Sequence, residues 1–92
     1  MASYKVVFKP TALKQLEAMD RRIDRQRIVK AIQQLAENPR PRGCEKLSGT
    51  KDTYRIRQGD YRIVYDIDDD RVIVLVLKVR HRKDVYRRRG RA

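Results

Sequence analysis

The sequence predicts an α+β fold. An N-terminal strand leads into an antiparallel helical hairpin, and a three-strand antiparallel meander completes one sheet, followed by a short C-terminal helix or tail. Three observations predict it. Apolar residues recur at helical spacing between Ala12 and Ala36. Residues 54–65 alternate about a Gly-Asp turn. Residues 72–79 form an apolar run bounded by charge. The chain has 92 residues, read as one domain spanning 1–92 with a single modest core.

Tyr4 to Phe8 reads as a short strand with Val6 and Phe8 facing the core, ended by Lys9-Pro10. Thr11 is the expected cap of a helix running to about Met19, with Ala12, Leu13, Leu16 and Met19 inward. Asp20 is the expected N-cap of a second helix from about Arg21 to Glu37. Ile28, Ile32, Leu35 and Ala36 form its apolar stripe, joined by Ile23 and Val29. Arg21, Arg22, Arg25, Arg27 and Lys30 face outward, as a solvated face or an RNA contact. Asn38-Pro39 stops this helix, because a residue before proline avoids helical backbone. Residues 40–52 read as an irregular link with Leu47 as its core anchor and Cys44 inert.

Gly59-Asp60 is the expected two-residue loop of a β-hairpin, with Gln58-Gly59 as the alternative. The first choice sets Arg57 opposite Arg62, Ile56 opposite Ile63 and Tyr54 opposite Tyr65. Either choice puts Tyr54, Ile56, Ile63 and Tyr65 on one face, and Arg55, Arg57, Arg62 and Val64 on the other. Like charges directly opposite each other destabilise a sheet. Three arginines gathered without an acid among them therefore point to an anion that sits between them. Asp66 to Arg71 reads as a solvated turn, since its four acids lack the spacing of a calcium loop. Residues 72–79 then form a strand covered on both faces at least in part.

Charge points the same way. There are 24 Lys and Arg, 16 of them Arg, against 12 Asp and Glu, a net charge of +12. Arginine offers a planar fork of donors that fits phosphate, so a nucleic acid or an acidic protein is the expected partner. The single Cys44 excludes an internal disulfide and a cysteine-only zinc site. No apolar run approaches the roughly 20 residues of a membrane span, and residues 1–5 carry no signal-peptide core. The expected location is the cytoplasm.

The segments Leu35-Ala36-Glu37-Asn38-Pro39, Tyr54 to Tyr65, and Val79-Arg80-His81-Arg82-Lys83-Asp84-Val85-Tyr86 closely resemble the RelE/ParE superfamily of toxin–antitoxin toxins, over about residues 3–88. The resemblance implies a small, microbial-RNase-like fold. It also implies one of two targets: the RelE branch cuts mRNA in the ribosomal A site, and the ParE branch poisons DNA gyrase. Both branches are silenced by a cognate antitoxin protein, here expected to be acidic and apolar where it wraps the helices and the sheet rim. Carried over residue by residue, the site falls on Arg55 and Arg57 of the first hairpin strand, Arg62 of the turn, Arg82 after the last strand with His81 as the alternative, and Tyr86. Arg80 stands where a glycine is common.

Such an RNase activates the ribose 2′-OH for in-line attack on the adjacent phosphorus. The three glutamates, Glu17, Glu37 and Glu45, are expected off the cationic face, so Tyr86 is the candidate base. Nearby cations favour its phenolate. Arg62 would bind the scissile phosphate, Arg82 or His81 would assist the leaving group, and Arg55 and Arg57 would stabilise developing charge. Lys51, Arg80, Lys83, Arg87 and Arg88 are further expected RNA contacts. The scheme calls for no metal and no cofactor. The competing readings are a gyrase inhibitor and a plain nucleic-acid-binding domain; the latter would present exposed aromatic platforms.

Overall fold

The computed structural model describes residues 3–83. The expected C-terminal helix or tail, with Tyr86, Arg87 and Arg88, lies outside the described residues. The elements in chain order are β1 (Lys5–Phe8), α1 (Pro10–Glu17), α2 (Arg22–Leu35), β2 (Glu45–Lys46), β3 (Thr53–Gln58), β4 (Tyr61–Asp68) and β5 (Ile73–His81). They form a five-stranded mixed sheet in the order β1-β5-β4-β3-β2. β1 runs parallel to β5, and the other neighbours are antiparallel.

The sheet thus has one strand more than expected. Two residues of the link, Glu45 and Lys46, pair with Arg55 and Tyr54. The return is closed by Leu47 N–H donating to the Thr53 carbonyl at 2.9 Å, and by Thr50 Oγ1 donating to the Leu47 carbonyl at 2.6 Å. A two-residue strand carries no periodicity, which is why alternation could not reveal it. Gly49, at φ +77°, makes the bend.

Both helices cover one face of the sheet. Ala12 and Leu16 of α1 and Ile28, Ile32 and Leu35 of α2 meet Ile63, Tyr65, Ile67, Val74, Val76 and Val79 in a single core. Burying each larger aliphatic side chain contributes about 1.5–3 kcal/mol. The helix starts differ from expectation. Pro10 opens α1 at its first turn with Lys9 before it, so Thr11 is not the cap. A proline suits that position because its missing N–H has no helical partner there. α2 begins at Arg22 with no side-chain cap, so Asp20 does not serve. Leu13 and Ile23, expected inward, are 45% and 54% exposed. Each lies at the margin of its helix's stripe, beyond the reach of the sheet. Leu47 is half-buried and outside the core, while Pro39, just before the link, is buried.

Two polar ties fix the link. The buried Tyr65 hydroxyl donates to the Pro39 carbonyl at 2.7 Å, and burial pushes its pKa well above the ordinary phenol value. Asp69, expected in a merely solvated turn, instead accepts from Arg40 Nη2 at 2.8 Å and from the Tyr4 hydroxyl at 2.6 Å. Arg40 Nε donates to the Tyr54 hydroxyl at 3.2 Å. Arg40 first, then Tyr4, hold the Asp69 carboxyl below its usual range.

Short β1 ends opposite Val76, so among the described residues the edge of β5 beyond it has no strand partner. Gln15 of α1 fills part of that gap by accepting from the Val79 N–H at 2.6 Å. Among the described residues no helix is long and apolar enough to cross a membrane.

Candidate nucleic-acid interface

The face of the sheet opposite α1 and α2 carries the arginines. Pairing in the hairpin follows the expected register, with Arg57 opposite Arg62, Arg55 opposite Val64, and Gly59 opening the turn at φ +61°. On the far side of β4, Arg62 is opposite Arg80 and Val64 is opposite Lys78. Arg57, Arg62 and Arg80 therefore form a row across three strands, with Arg55, Val64 and Lys78 in the row beside it. Directly opposed residues hold their Cβ atoms about 4.5–5.5 Å apart.

A β-bulge makes this arrangement possible. Val64 pairs with Lys78, but the next residue, Tyr65, pairs with Val76, leaving Leu77 as the extra residue on β5. Before the bulge Val74 and Val76 face the helices; after it Val79 does. Strict alternation from Val76 would have sent Lys78 and Arg80 into the core. The bulge turns both onto the open face beside Arg62.

At the hairpin turn this face narrows to a cleft of about 140 Å³ lined by Arg57, Gly59, Asp60, Tyr61, Arg62 and Arg82. Arg82 is tied there by its backbone N–H, which donates to the Asp60 carbonyl at 2.9 Å. Its guanidinium lies 4.0 Å from the Asp60 carboxylate. Three of the expected site residues, Arg57, Arg62 and Arg82, thus come from different strands or strand ends into one concave site. Arg55 and Arg80 flank it.

Other expected residues fall elsewhere. His81 pairs with Tyr61 on the helix side of the sheet, edge-on to its ring at 4.9 Å between centroids. Its Nδ1 accepts from the Lys83 N–H at 3.0 Å. The bulge that exposes Arg80 is what turns His81 inward. Lys83 lines a broader hollow of about 650 Å³ between the start of α2 and the hairpin turn, with Arg21, Arg27 and His81. Lys51 lies at the opposite end of the open face, in a groove with Val7, Ile73 and Leu75. Tyr86, Arg87 and Arg88 lie outside the described residues.

The expectation that no acid stands among the arginines is corrected. Glu45 pairs with Arg55 across β2 and β3, and Arg55 Nη2 donates to its Oε1 at 2.9 Å. Arg55 first, with help from Arg62 and Arg57, holds the Glu45 carboxyl below its ordinary range. The available sequence signal was the Ser48-Gly49 turn eight residues upstream of Ile56, which marks a short return strand. Lys78 was also missed, because only the bulge reveals its face.

Chemically, the cleft can hold a phosphodiester. Arg57 and Arg62 project from paired strands and Arg82 follows the last one, so the backbone holds the three positions around one anion site. A single-stranded backbone can run along the two rows of cations.

The chain and its fold are similar to known proteins. Residues 6–86 match the family described as the ParE toxin of type II toxin-antitoxin system, parDE. The chain is 35% identical over 85 residues to Toxin RelG of Mycobacterium tuberculosis, covering 92% of this chain and 98% of the relative. It is 34% identical over 88 residues to the mRNA interferase toxin RelE of Escherichia coli K12, covering 91% of this chain and 90% of that one. Its fold matches a chain of the crystal structure of the archaeal RelE–RelB complex from Pyrococcus horikoshii with a TM-score of 0.77 and 29% identity, over 87% of this chain and 96% of that one.

Proposed function

The chain belongs to the RelE/ParE superfamily of type II toxin–antitoxin toxins, and from that membership we propose that it is a ribosome-dependent endoribonuclease that cuts messenger RNA in the A site. The observation that carries this reading is the cleft that joins Arg57, Arg62 and Arg82. The relative named an mRNA interferase supports it.

In the proposed step the ribose 2′-oxygen attacks the adjacent phosphorus as the bond from phosphorus to the 5′-oxygen breaks. The products are a 2′,3′-cyclic phosphate and a 5′-hydroxyl. Arg62 binds the scissile phosphate. Arg55 and Arg57 stabilise the charge gathering on its oxygens, each worth on the order of 10²–10³ in rate if it acts as a preorganised donor. Tyr86, as the phenolate, accepts the 2′-proton, and Arg82 stabilises the leaving 5′-oxygen, which takes its proton from solvent, in preference to His81, whose ring packs on Tyr61 at the other face. Arg80, Lys83, Arg87 and Arg88 contact the RNA backbone, with Lys51 at the far end of the face. The scheme uses no metal or cofactor. So weak a proton-transfer set needs the ribosome to bend the message into line, and orientation of that kind supplies roughly 7–11 kcal/mol.

The protein acts in the cytoplasm, where ribosomes are, and a cognate antitoxin with acidic and apolar residues holds it silent. The RelE of the archaeal complex is bound to RelB, which supports such a partner. The match to the ParE toxin description favours a second reading, inhibition of DNA gyrase without cleavage of RNA. The row of arginines favours the first, since binding a protein surface has no need of a phosphate cradle. The test is translation on purified ribosomes with mapping of mRNA ends. New 5′-hydroxyl ends at A-site codons support the nuclease; intact mRNA with gyrase-trapped, cleaved DNA supports the alternative.

A further inference from the structure

Glu45 divides the arginines of the open face into two kinds. Arg55 is occupied, because its Nη2 lies 2.9 Å from Glu45 Oε1. Arg57 and Arg62 have no described carboxylate within 4.0 Å. The occupying group is poorly anchored. The Glu45 side chain is 67% exposed and sits on a strand of two residues at the sheet edge. Lowered in pKa by Arg55, Arg62 and Arg57 in that order, its carboxyl is ionised at neutral pH.

A carboxylate and a phosphate oxygen make the same demand on a guanidinium, namely charge-assisted N–H donation in the plane of the fork. The Nη2 donor that holds Glu45 is thereby taken from an incoming phosphate. The carboxylate also repels that phosphate. Exposed pairs of this kind are weak enough to be exchanged, because solvent screens both charges.

Building on the reading of this face as an RNA site, we propose that Glu45 is a displaceable internal anion that holds Arg55 in the RNA-free protein and restrains the affinity of the cradle. Arg57 and Arg62 engage the phosphate backbone first. Arg55 joins when Glu45 swings aside into solvent. Glu45 is therefore a positioning residue that sets how tightly RNA is held.

The test is binding of a 2′-O-methylated single-stranded RNA oligomer, which cannot be cut, measured by fluorescence anisotropy over a range of salt. E45Q is expected to bind about threefold to tenfold more tightly than the unchanged protein at low salt. Its slope of log affinity against log salt should be steeper by about 0.7, the value of one more phosphate contact on a single strand. R55A should weaken binding in both backgrounds, and several-fold more in the E45Q background, where the guanidinium is wholly available to phosphate. E45D, which keeps the charge, should stay closer to the natural affinity than E45Q does. E45A serves as a second neutral variant, with thermal unfolding run on each protein to confirm the fold.

Equal or weaker binding by folded E45Q and E45A overturns the proposal, as does an R55A cost that is the same in both backgrounds. A purely structural role for the pair would lower the unfolding temperature and leave the salt slope unmoved. Tighter binding by E45Q in a protein that never cuts mRNA on ribosomes leaves this inference standing and overturns the nuclease reading. Cleavage of mRNA by a protein whose RNA affinity ignores Glu45 does the reverse.

Discussion

Arg57 stands directly opposite Arg62 across the β3–β4 ladder, and Arg80 flanks Arg62 on its other side. Like charges so paired cost a sheet roughly 0.2–1 kcal/mol. R57T removes the repulsion and adds a residue that suits a strand. It is expected to raise the unfolding free energy by about 0.5 kcal/mol while weakening RNA binding and mRNA cleavage. Denaturant unfolding and a cleavage assay on the same preparation check both halves.

The bulge at Leu77 gives a second expectation. Deleting Leu77 sets Lys78 directly after Val76, and plain alternation then keeps Val74, Val76 and Val79 toward the helices and Lys78 and Arg80 on the open face. Thermal unfolding followed by circular dichroism should therefore stay cooperative in the deletion protein. Loss of cooperative unfolding would contradict the assignment of Leu77 as the extra residue.

Tyr65 is fully buried, and its hydroxyl is bonded to the Pro39 carbonyl. Y65F leaves that carbonyl without its partner, at an expected cost of about 1–3 kcal/mol. The site on the opposite face should retain its cleavage rate at a temperature where both proteins are folded. Urea unfolding measures the first effect and single-turnover cleavage the second.

The Asp69 clamp sets an acid limit. Its carboxyl is held below the ordinary value by Arg40 first and by Tyr4. A group depressed in the folded state contributes stability above its unfolded pKa, about 4, and loses it as pH falls through the lower folded value. D69N should therefore unfold at a lower temperature than the natural protein at pH 7, with the gap closing below about pH 4. A gap independent of pH would contradict this.

The contrast between Leu77 and the hairpin shows how much was legible in the sequence. Alternation about Gly59-Asp60 revealed the hairpin register, because a two-residue turn leaves little freedom and one face is apolar. Helical spacing located Ile28, Ile32 and Leu35, each of which is buried. The run from Val72 to Val79 was opaque, since residues apolar on both parities hide a change of phase. Counting by twos from Val76 consequently assigns Arg80 and His81 each to the wrong face. Glu45 was hidden for another reason: its strand exists through pairing with Arg55 and Tyr54, not through any pattern of its own. Leu13 and Ile23 carried the right chemistry at the edge of the right stripe, and only packing decides such positions.

The central claim is that the cleft at the hairpin turn is where RNA is cut. The most direct measurement is the single-turnover rate of A-site mRNA cleavage on purified ribosomes, for the natural protein and for R62A with its thermal unfolding checked alongside. R62A is expected to fold normally and to cleave at least about 100-fold more slowly, the usual cost of removing one preorganised donor to a reacting anion. A folded R62A protein that cuts mRNA at the natural rate would contradict the account.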